Sequence, residues 1–154
     1  MKIKAVFLDR DGVINKDFGY IFKKEEFIFI DGAIDAMKYL TNLKYELFII
    51  TNQSGIGRGF YTEREFMELD RYIKKILKNQ GINIKETFYC PHHPEAKILK
   101  YRKICDCRKP KIGMLKKAFS KYEIDKNLSY LIGDKPTDIE AGESAKIKSF
   151  LFDT

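Results

Sequence analysis

The sequence predicts an α/β domain with a mostly parallel sheet and helices on both faces. Apolar runs of strand length alternate with segments of helical period along the chain. Three of those runs finish in carboxylates, a hydroxyl or a lysine, the residue types that an open α/β sheet gathers beyond the carboxyl ends of its strands. The 154 residues fit one domain, 1–154, with no internal repeat, low-complexity tract or linker to divide them.

The elements follow in order. Residues 2–8 form a buried apolar strand that ends in Asp9-Arg10-Asp11-Gly12-Val13. An irregular stretch covers 15–30. Asp31 is placed to cap a helix over 32–42, with Ala33, Ile34, Met37 and Leu40 on one face. A second strand over 45–50 ends in Thr51-Asn52-Gln53-Ser54-Gly55. Thr62 and Glu65 have capping-box spacing, and Phe66, Leu69, Ile73, Ile76 and Leu77 carry the helical stripe to about 79, where Gly81 closes it. A short strand over 86–89 runs into a loop rich in Cys and His. A helix over 113–122 turns Leu115, Ala118, Phe119 and Tyr122 inward. The third apolar strand, 128–132, ends in Gly133-Asp134-Lys135-Pro136-Thr137-Asp138. A short helix over 137–144 and a strand over 147–152 complete the alternation.

Composition narrows the class. Hydrophobic content of 44% and charged content of 33% describe a soluble globular chain. No apolar run approaches the ~20 residues of a bilayer span, and Met1-Lys2-Ile3-Lys4 enters a strand without a leader pattern. The expectation is a cytoplasmic monomer that does not engage membranes. The net charge of +7 is spread over clusters at 23–24, 74–75, 97–103 and 109–117. A nucleic-acid surface would concentrate that charge and interleave stacking aromatics. The dispersed pattern reads as solvated surface that favours the approach of a small anion.

The strand ends carry phosphoryl-transfer chemistry. Asp9 can attack phosphorus to form an aspartyl phosphate. Asp11, two residues on, can protonate the leaving alkoxide and later deprotonate water. Nucleophile and phosphate are both anions, so a cation must lie between them. Asp9 and Asp134 are the natural Mg²⁺ pair, with a backbone carbonyl near Asp11 as a further oxygen. Taken alone, Asp-x-Asp-Gly could be an ordinary strand-end turn; the other two strand ends argue against that. Thr51 can bond a phosphoryl oxygen or cap the turn after it. Residues 54–59 are glycine-rich but lack the lysine of a P-loop, and read as a flexible rim with Arg58 as a candidate substrate contact. Lys109 offers a fixed charge ahead of a helix.

A second signature is Cys90-Pro91-His92-His93 followed by Cys105-Asp106-Cys107. All three cysteines of the chain lie within 18 residues of one another. Three thiolates and one imidazole make a closed, structural zinc site, and the loop 90–107 is its frame. Alternation in an extended Cys-x-His segment favours His92 over His93.

These segments together resemble the haloacid dehalogenase phosphatase superfamily. Residues 7–15 resemble its first motif, 51–56 its second, Cys107-Arg108-Lys109-Pro110 its third, and Gly133-Asp134-Lys135 with Asp138 its fourth. The Cys/His loop resembles the zinc-containing branch, which holds heptose-bisphosphate and histidinol-phosphate phosphatases; residues 52–59, 90–94 and 17–20 match the heptose pattern better. The resemblance implies a Rossmann-like domain without a large cap. It implies Asp9 as nucleophile, Asp11 as proton donor, and Thr51 and Arg108 as phosphoryl stabilisers. Mg²⁺ would be held by Asp9, Asp11 and Asp134, and Zn²⁺ by Cys90, His92, Cys105 and Cys107. Substrate contacts would come from Asp17, Phe18, Gly19, Tyr20, Asn52, Gln53, Ser54, Arg108, Lys109 and Lys135. The implied partner is a small phosphorylated sugar, with histidinol phosphate as the alternative. A zinc-knuckle nucleic-acid binder on a disabled phosphatase fold is the rival from another class. The chain ends at Thr154, just past the last strand, where heptose phosphatases commonly continue for a few dozen residues.

Overall fold

The computed structural model describes residues 2–153. Five strands, β1 (Ala5–Leu8), β2 (Glu46–Asn52), β3 (Ile84–Cys90), β4 (Tyr130–Gly133) and β5 (Lys148–Leu151), form one sheet in the order β3-β2-β1-β4-β5. Every pairing is parallel, with Phe7 opposite both Phe48 and Leu131. The five α-helical segments are α1 (Ala33–Asn42), α2 (Ser54–Gly57), α3 (Glu63–Asn79), α4 (Gly113–Lys121) and α5 (Pro136–Ser144).

The central strands carry unbroken apolar runs, Ala5–Leu8 in β1 and Leu47–Ile50 in β2, because both sheet faces are covered. Ala5, Phe7, Phe48, Ile50 and Leu131 pack with Leu115 and Ala118 of α4 and Ala141 of α5. Val6, Leu8, Leu47 and Ile49 pack with Met37 of α1 and Leu69, Ile73 and Leu77 of α3 on the other face. Phe7 and Phe48 stack across strands with centroids 5.1 Å apart. Burying each such side chain contributes roughly 1.5–3 kcal/mol before entropy is counted. The chain steps outward from β1 to β3 and then returns to β4 on the opposite side of β1. The crevice between the carboxyl ends of β1 and β4 is therefore the switch point where this architecture binds ligands.

Several expected boundaries shift. The first strand begins at Ala5, and Ile3 makes only an isolated bridge to Ile124. β3 starts earlier than expected, at Ile84, and Tyr122 is the C-cap of α4. Asp31 does not cap α1: Gly32 occupies the N-cap at φ 86°, and no side chain bonds there. The expected flexible rim after β2 is instead the packed helical turn α2, with Gly55, Ile56 and Gly57 buried. Its glycines serve close approach: a Cβ on Gly57 would lie 2.7 Å from the Pro91 carbonyl oxygen. The Thr62–Glu65 capping box forms as expected.

Candidate active site and metal sites

Asp9 leaves β1 still paired to β4, its N–H donating to the Ile132 carbonyl at 3.1 Å. Lys109 reaches it from the loop before α4. The Lys109 ammonium donates to the Ile50 carbonyl at 3.0 Å and lies 3.1 Å from Asp9 Oδ1 and 2.6 Å from Asp138 Oδ1. Asp138 Oδ2 accepts the backbone N–H groups of Asp134 and Lys135, at 3.1 Å each. Asp138 thus shapes the turn at the end of β4, and Gly133 is required beside it because a Cβ there would collide with its carboxylate.

Charge does not balance among these side chains alone. Oxygens of Asp9, Asp134 and Asp138 lie within 4.8 Å of one another, yet Lys109 is the cation paired with this group. Burial pushes the Asp9 carboxyl up to about 8 against the pull of Lys109, and Asp138 and Asp11 push the same way. Burial also raises Asp134. Burial works against the Lys109 ammonium, but Asp9 and Asp138 outweigh it and hold its pKa above the usual value. Asp134 Oδ1 is buried without a hydrogen-bond partner. Gly12, at φ 92°, leaves room for the Asp134 carboxylate, which any Cβ would strike. An all-oxygen set with surplus negative charge and an orphaned carboxylate oxygen fits a hard divalent cation. Both Asp138 oxygens already have partners, which leaves Asp9 and Asp134 as the side-chain ligands for it.

Asp11 is clamped from both sides. Its Oδ1 accepts from Arg10 Nε at 3.1 Å, Arg10 Nη2 at 2.9 Å and Asn15 Nδ2 at 3.0 Å. Its Oδ2 accepts from Gln53 Nε2 at 3.1 Å. Arg10 is fully buried, donates also to the Ile21 carbonyl at 2.8 Å, and lies over the Phe66 ring at 5.7 Å. The Tyr61 hydroxyl donates to Gln53 Oε1, which turns the Gln53 amide nitrogen toward Asp11 and Thr51. Sequence reasoning missed Arg10, Asn15 and Tyr61. No local spacing marks them, since each works through a contact that folding alone creates.

The cleft above these groups has a volume of about 500 Å³. Asp9, Asp11, Asp17, Gly19, Tyr20, Asn52, Gln53, Ser54, Arg108, Lys109 and Lys135 all line it, so most of the expected contacts meet there. Arg58 lines it too. Phe18 does not: it is 64% exposed and points away. The Asp17 carboxylate accepts the Gly19 N–H at 2.9 Å, and Gly19 and Tyr20 take positive φ, a tight turn that throws Phe18 outward. Thr51 is buried below the lining, its hydroxyl accepting from Gln53 at 2.9 Å. Asn52 braces the lysine loop at two points, accepting the Lys109 N–H at 3.0 Å and donating to the Lys109 carbonyl at 3.3 Å.

The Cys/His loop closes on itself. Cys90 Sγ lies 2.9 Å from Cys107 Sγ and 3.5 Å from Cys105 Sγ, and His92 Nδ1 lies 3.3 Å from Cys107 Sγ. The 3.5 Å separations of Cys105 from Cys90 and Cys107 and the 3.6 Å separation of Cys90 from His92 match the edges, ~3.5–3.8 Å, of a tetrahedron with metal–sulfur bonds of ~2.3 Å, while Cys90 and Cys107 lie closer than such an edge. His93 faces elsewhere: its Nδ1 accepts the Glu95 N–H at 3.0 Å, and its Nε2 lies 3.1 Å from Arg58 Nη2. Burial pushes the Cys90 thiol well up, a penalty on the thiolate that a bound soft-ligand cation would offset.

This fold and this site define a phosphatase of the haloacid dehalogenase-like class. The sequence model of the family described as polynucleotide kinase 3 phosphatase matches residues 3–149. A D-glycero-beta-D-manno-heptose-1,7-bisphosphate 7-phosphatase of Pasteurella multocida is 47% identical over 95% of this chain and 79% of its own length. A D-glycero-alpha-D-manno-heptose-1,7-bisphosphate 7-phosphatase of Photorhabdus laumondii is 46% identical over 99% of this chain and 84% of its own. Among solved structures, the D,D-heptose 1,7-bisphosphate phosphatase of B. bronchiseptica, complexed with magnesium and phosphate, superposes with a TM-score of 0.85, 30% identity, and coverage of 97% of this chain and 80% of that one. The chain belongs to this family of phosphoric monoester hydrolases. Neither the histidinol-phosphate nor the nucleic-acid-binding alternative gains support from these relatives.

Proposed function

We propose that this chain removes the 7-phosphate of D-glycero-D-manno-heptose 1,7-bisphosphate, in the supply of heptose precursors for lipopolysaccharide or other surface polysaccharide. The observation that carries the chemistry is the convergence of Asp9, Lys109, Asp134 and Asp138 beneath the cleft, with Asp11 clamped beside them. The sugar rests on relatives of 43–48% identity that carry this activity in their names. The setting is the cytoplasm and the working unit a monomer; no helix among the described residues is long and apolar enough to cross a membrane.

In this reading an Asp9 oxygen attacks phosphorus, a P–O bond to Asp9 forms, and the ester P–O bond to the sugar breaks. Asp11 gives its proton to the leaving alkoxide. Asp11 then takes a proton from water as that water attacks the aspartyl phosphate, which regenerates Asp9 and releases inorganic phosphate. Arg10, Asn15 and Gln53 hold Asp11 in position for both transfers. Thr51, Arg108 and Lys109 stabilise the transferring phosphoryl group. Asp9, Asp134 and the Asp11 carbonyl would hold Mg²⁺, which when bound would supply the positive charge for an anionic nucleophile to meet an anionic phosphate. Cys90, His92, Cys105 and Cys107 would hold Zn²⁺ and with it fix the loop that presents Arg108 and Lys109.

The test is steady-state phosphate release with Mg²⁺ on heptose 1,7-bisphosphate, fructose 1,6-bisphosphate and histidinol phosphate. A kcat/KM for the heptose substrate more than ~100-fold above the others, about 2.7 kcal/mol of transition-state discrimination, is expected. Comparable rates on all three would overturn the sugar assignment.

A further inference from the structure

Arg58 follows α2 as its C-cap and lines the cleft on the side of the Cys/His loop. Its Nη2 lies 3.1 Å from His93 Nε2, but this contact does not hold it. His93 Nδ1 accepts the Glu95 N–H at 3.0 Å, so a neutral ring carries its proton on Nε2. Two N–H groups then face each other, with no acceptor between them. Arg58 Nε is also buried without a partner. Among the described residues, no carboxylate pairs with Arg58, whereas Lys109 is held by Asp9 and Asp138. Asp17, which also lines the cleft, has an oxygen engaged by the Gly19 N–H. Converging, unsatisfied donors on a cleft wall make a place for an anion, and a guanidinium matches a phosphoryl group with a two-point fork.

We infer that Arg58 is a specificity residue that takes the second, non-reacting phosphoryl group of the substrate, with His93 Nε2–H donating to the same oxygens. This rests on the bisphosphate reading above. The packed turn α2 and the metal-held loop would then have a joint purpose: each contributes one donor to an anion that neither could hold alone.

The experiment compares kcat/KM for each bisphosphate with that for the monophosphate bearing the same scissile ester. The pairs are heptose 1,7-bisphosphate against heptose 7-phosphate, and fructose 1,6-bisphosphate against fructose 6-phosphate. In R58A the bisphosphate-to-monophosphate ratio is expected to fall by ~10- to 100-fold, chiefly through KM for the bisphosphate. R58Q, which keeps bulk but not charge, gives the same ratio test if R58A does not fold. H93F should lower the ratio in the same direction by a smaller factor. A ratio unaltered by R58A or R58Q, even with all rates reduced, overturns the role of Arg58 and leaves the heptose reading standing. A collapse of the ratio on the fructose pair, with the heptose pair inert in the wild type, upholds Arg58 and overturns heptose.

Discussion

Lys109 Nζ stands 3.1 Å from Asp9 Oδ1, and both side chains are buried. A buried ammonium this close to the Asp9 carboxyl does two things. It pulls the Asp9 pKa down against the larger upward push of burial, and it sets the side chain's position from a loop that Asn52 locks to the end of β2. Asp9, Lys109 and Asp138 form one electrostatic unit, so single changes within it are expected to be non-additive.

Asp9→Asn keeps the shape of the side chain and removes the carboxylate proposed as the nucleophile. Phosphate release should fall by at least about 10⁴-fold, while circular dichroism and the cooperative unfolding transition persist. Lys109 retains Asp138 in this variant, so no buried charge is left wholly unpaired. Turnover that survives the change would remove Asp9 from its role.

Lys109→Met leaves Asp9 and Asp138 facing each other without the cation. Breaking a buried pair of this kind costs about 3–5 kcal/mol, to be read by urea denaturation in the presence of a chelator. Adding Asp138→Asn to Lys109→Met should recover part of that loss, with a coupling of roughly 1–3 kcal/mol in the double-mutant cycle. Strict additivity would mean that the two groups do not sense each other.

The sheet and the convergence of carboxylates at its strand ends were legible in the sequence because each is written locally. Strand runs such as 45–50 are apolar at consecutive positions, the Thr62–Glu65 box sits at its fixed spacing, and Asp9, Asp11 and Asp134 directly follow strands. What was not legible depends on which distant residues meet. Nothing local marks Arg10 inside Asp-Arg-Asp, yet it is buried, with the ring of Phe66, 56 residues later, beneath its guanidinium. Gln53 reads as a substrate contact, and only Tyr61 turns its amide toward Asp11. Residues 54–59 read as flexible because they are rich in glycine, although two of those glycines are there so that Tyr61 and Pro91 can pack against them. Phe18 stands outside the cleft lining, next to the positive-φ turn at Gly19 and Tyr20.

The Cys/His cluster predicts metal content. Purified protein should carry about one zinc per chain by elemental analysis, and Cys105→Ser should lower both that content and the melting temperature. Because Arg108 and Lys109 directly follow Cys107, the same change should reduce kcat without touching a reacting atom. Protein free of zinc but fully stable would refute a structural ion in this loop.

Glu63, at the first turn of α3, accepts the Tyr89 hydroxyl on one oxygen and the Tyr101 hydroxyl on the other, at 2.5 Å each. It thereby ties α3 to the end of β3 and to the Cys/His loop. The bonds from Tyr101 and Tyr89 hold the Glu63 carboxyl below its usual range, against the opposing effect of partial burial. A depressed folded-state pKa means that the unfolded chain takes up the proton first on acidification. The stabilisation from Glu63 is therefore complete above its ordinary value of 4.5 and is lost as pH falls through the lower folded value. At pH 7, Glu63→Gln should lower the melting temperature by roughly 2–5 °C. The gap between wild type and variant should close progressively below about pH 4.5, because the protonated wild-type side chain then resembles the amide. Melting curves of both proteins taken from pH 7 to pH 3 read this directly, and a gap that stays constant across that range would show that the two tyrosines do not depend on the charge of Glu63.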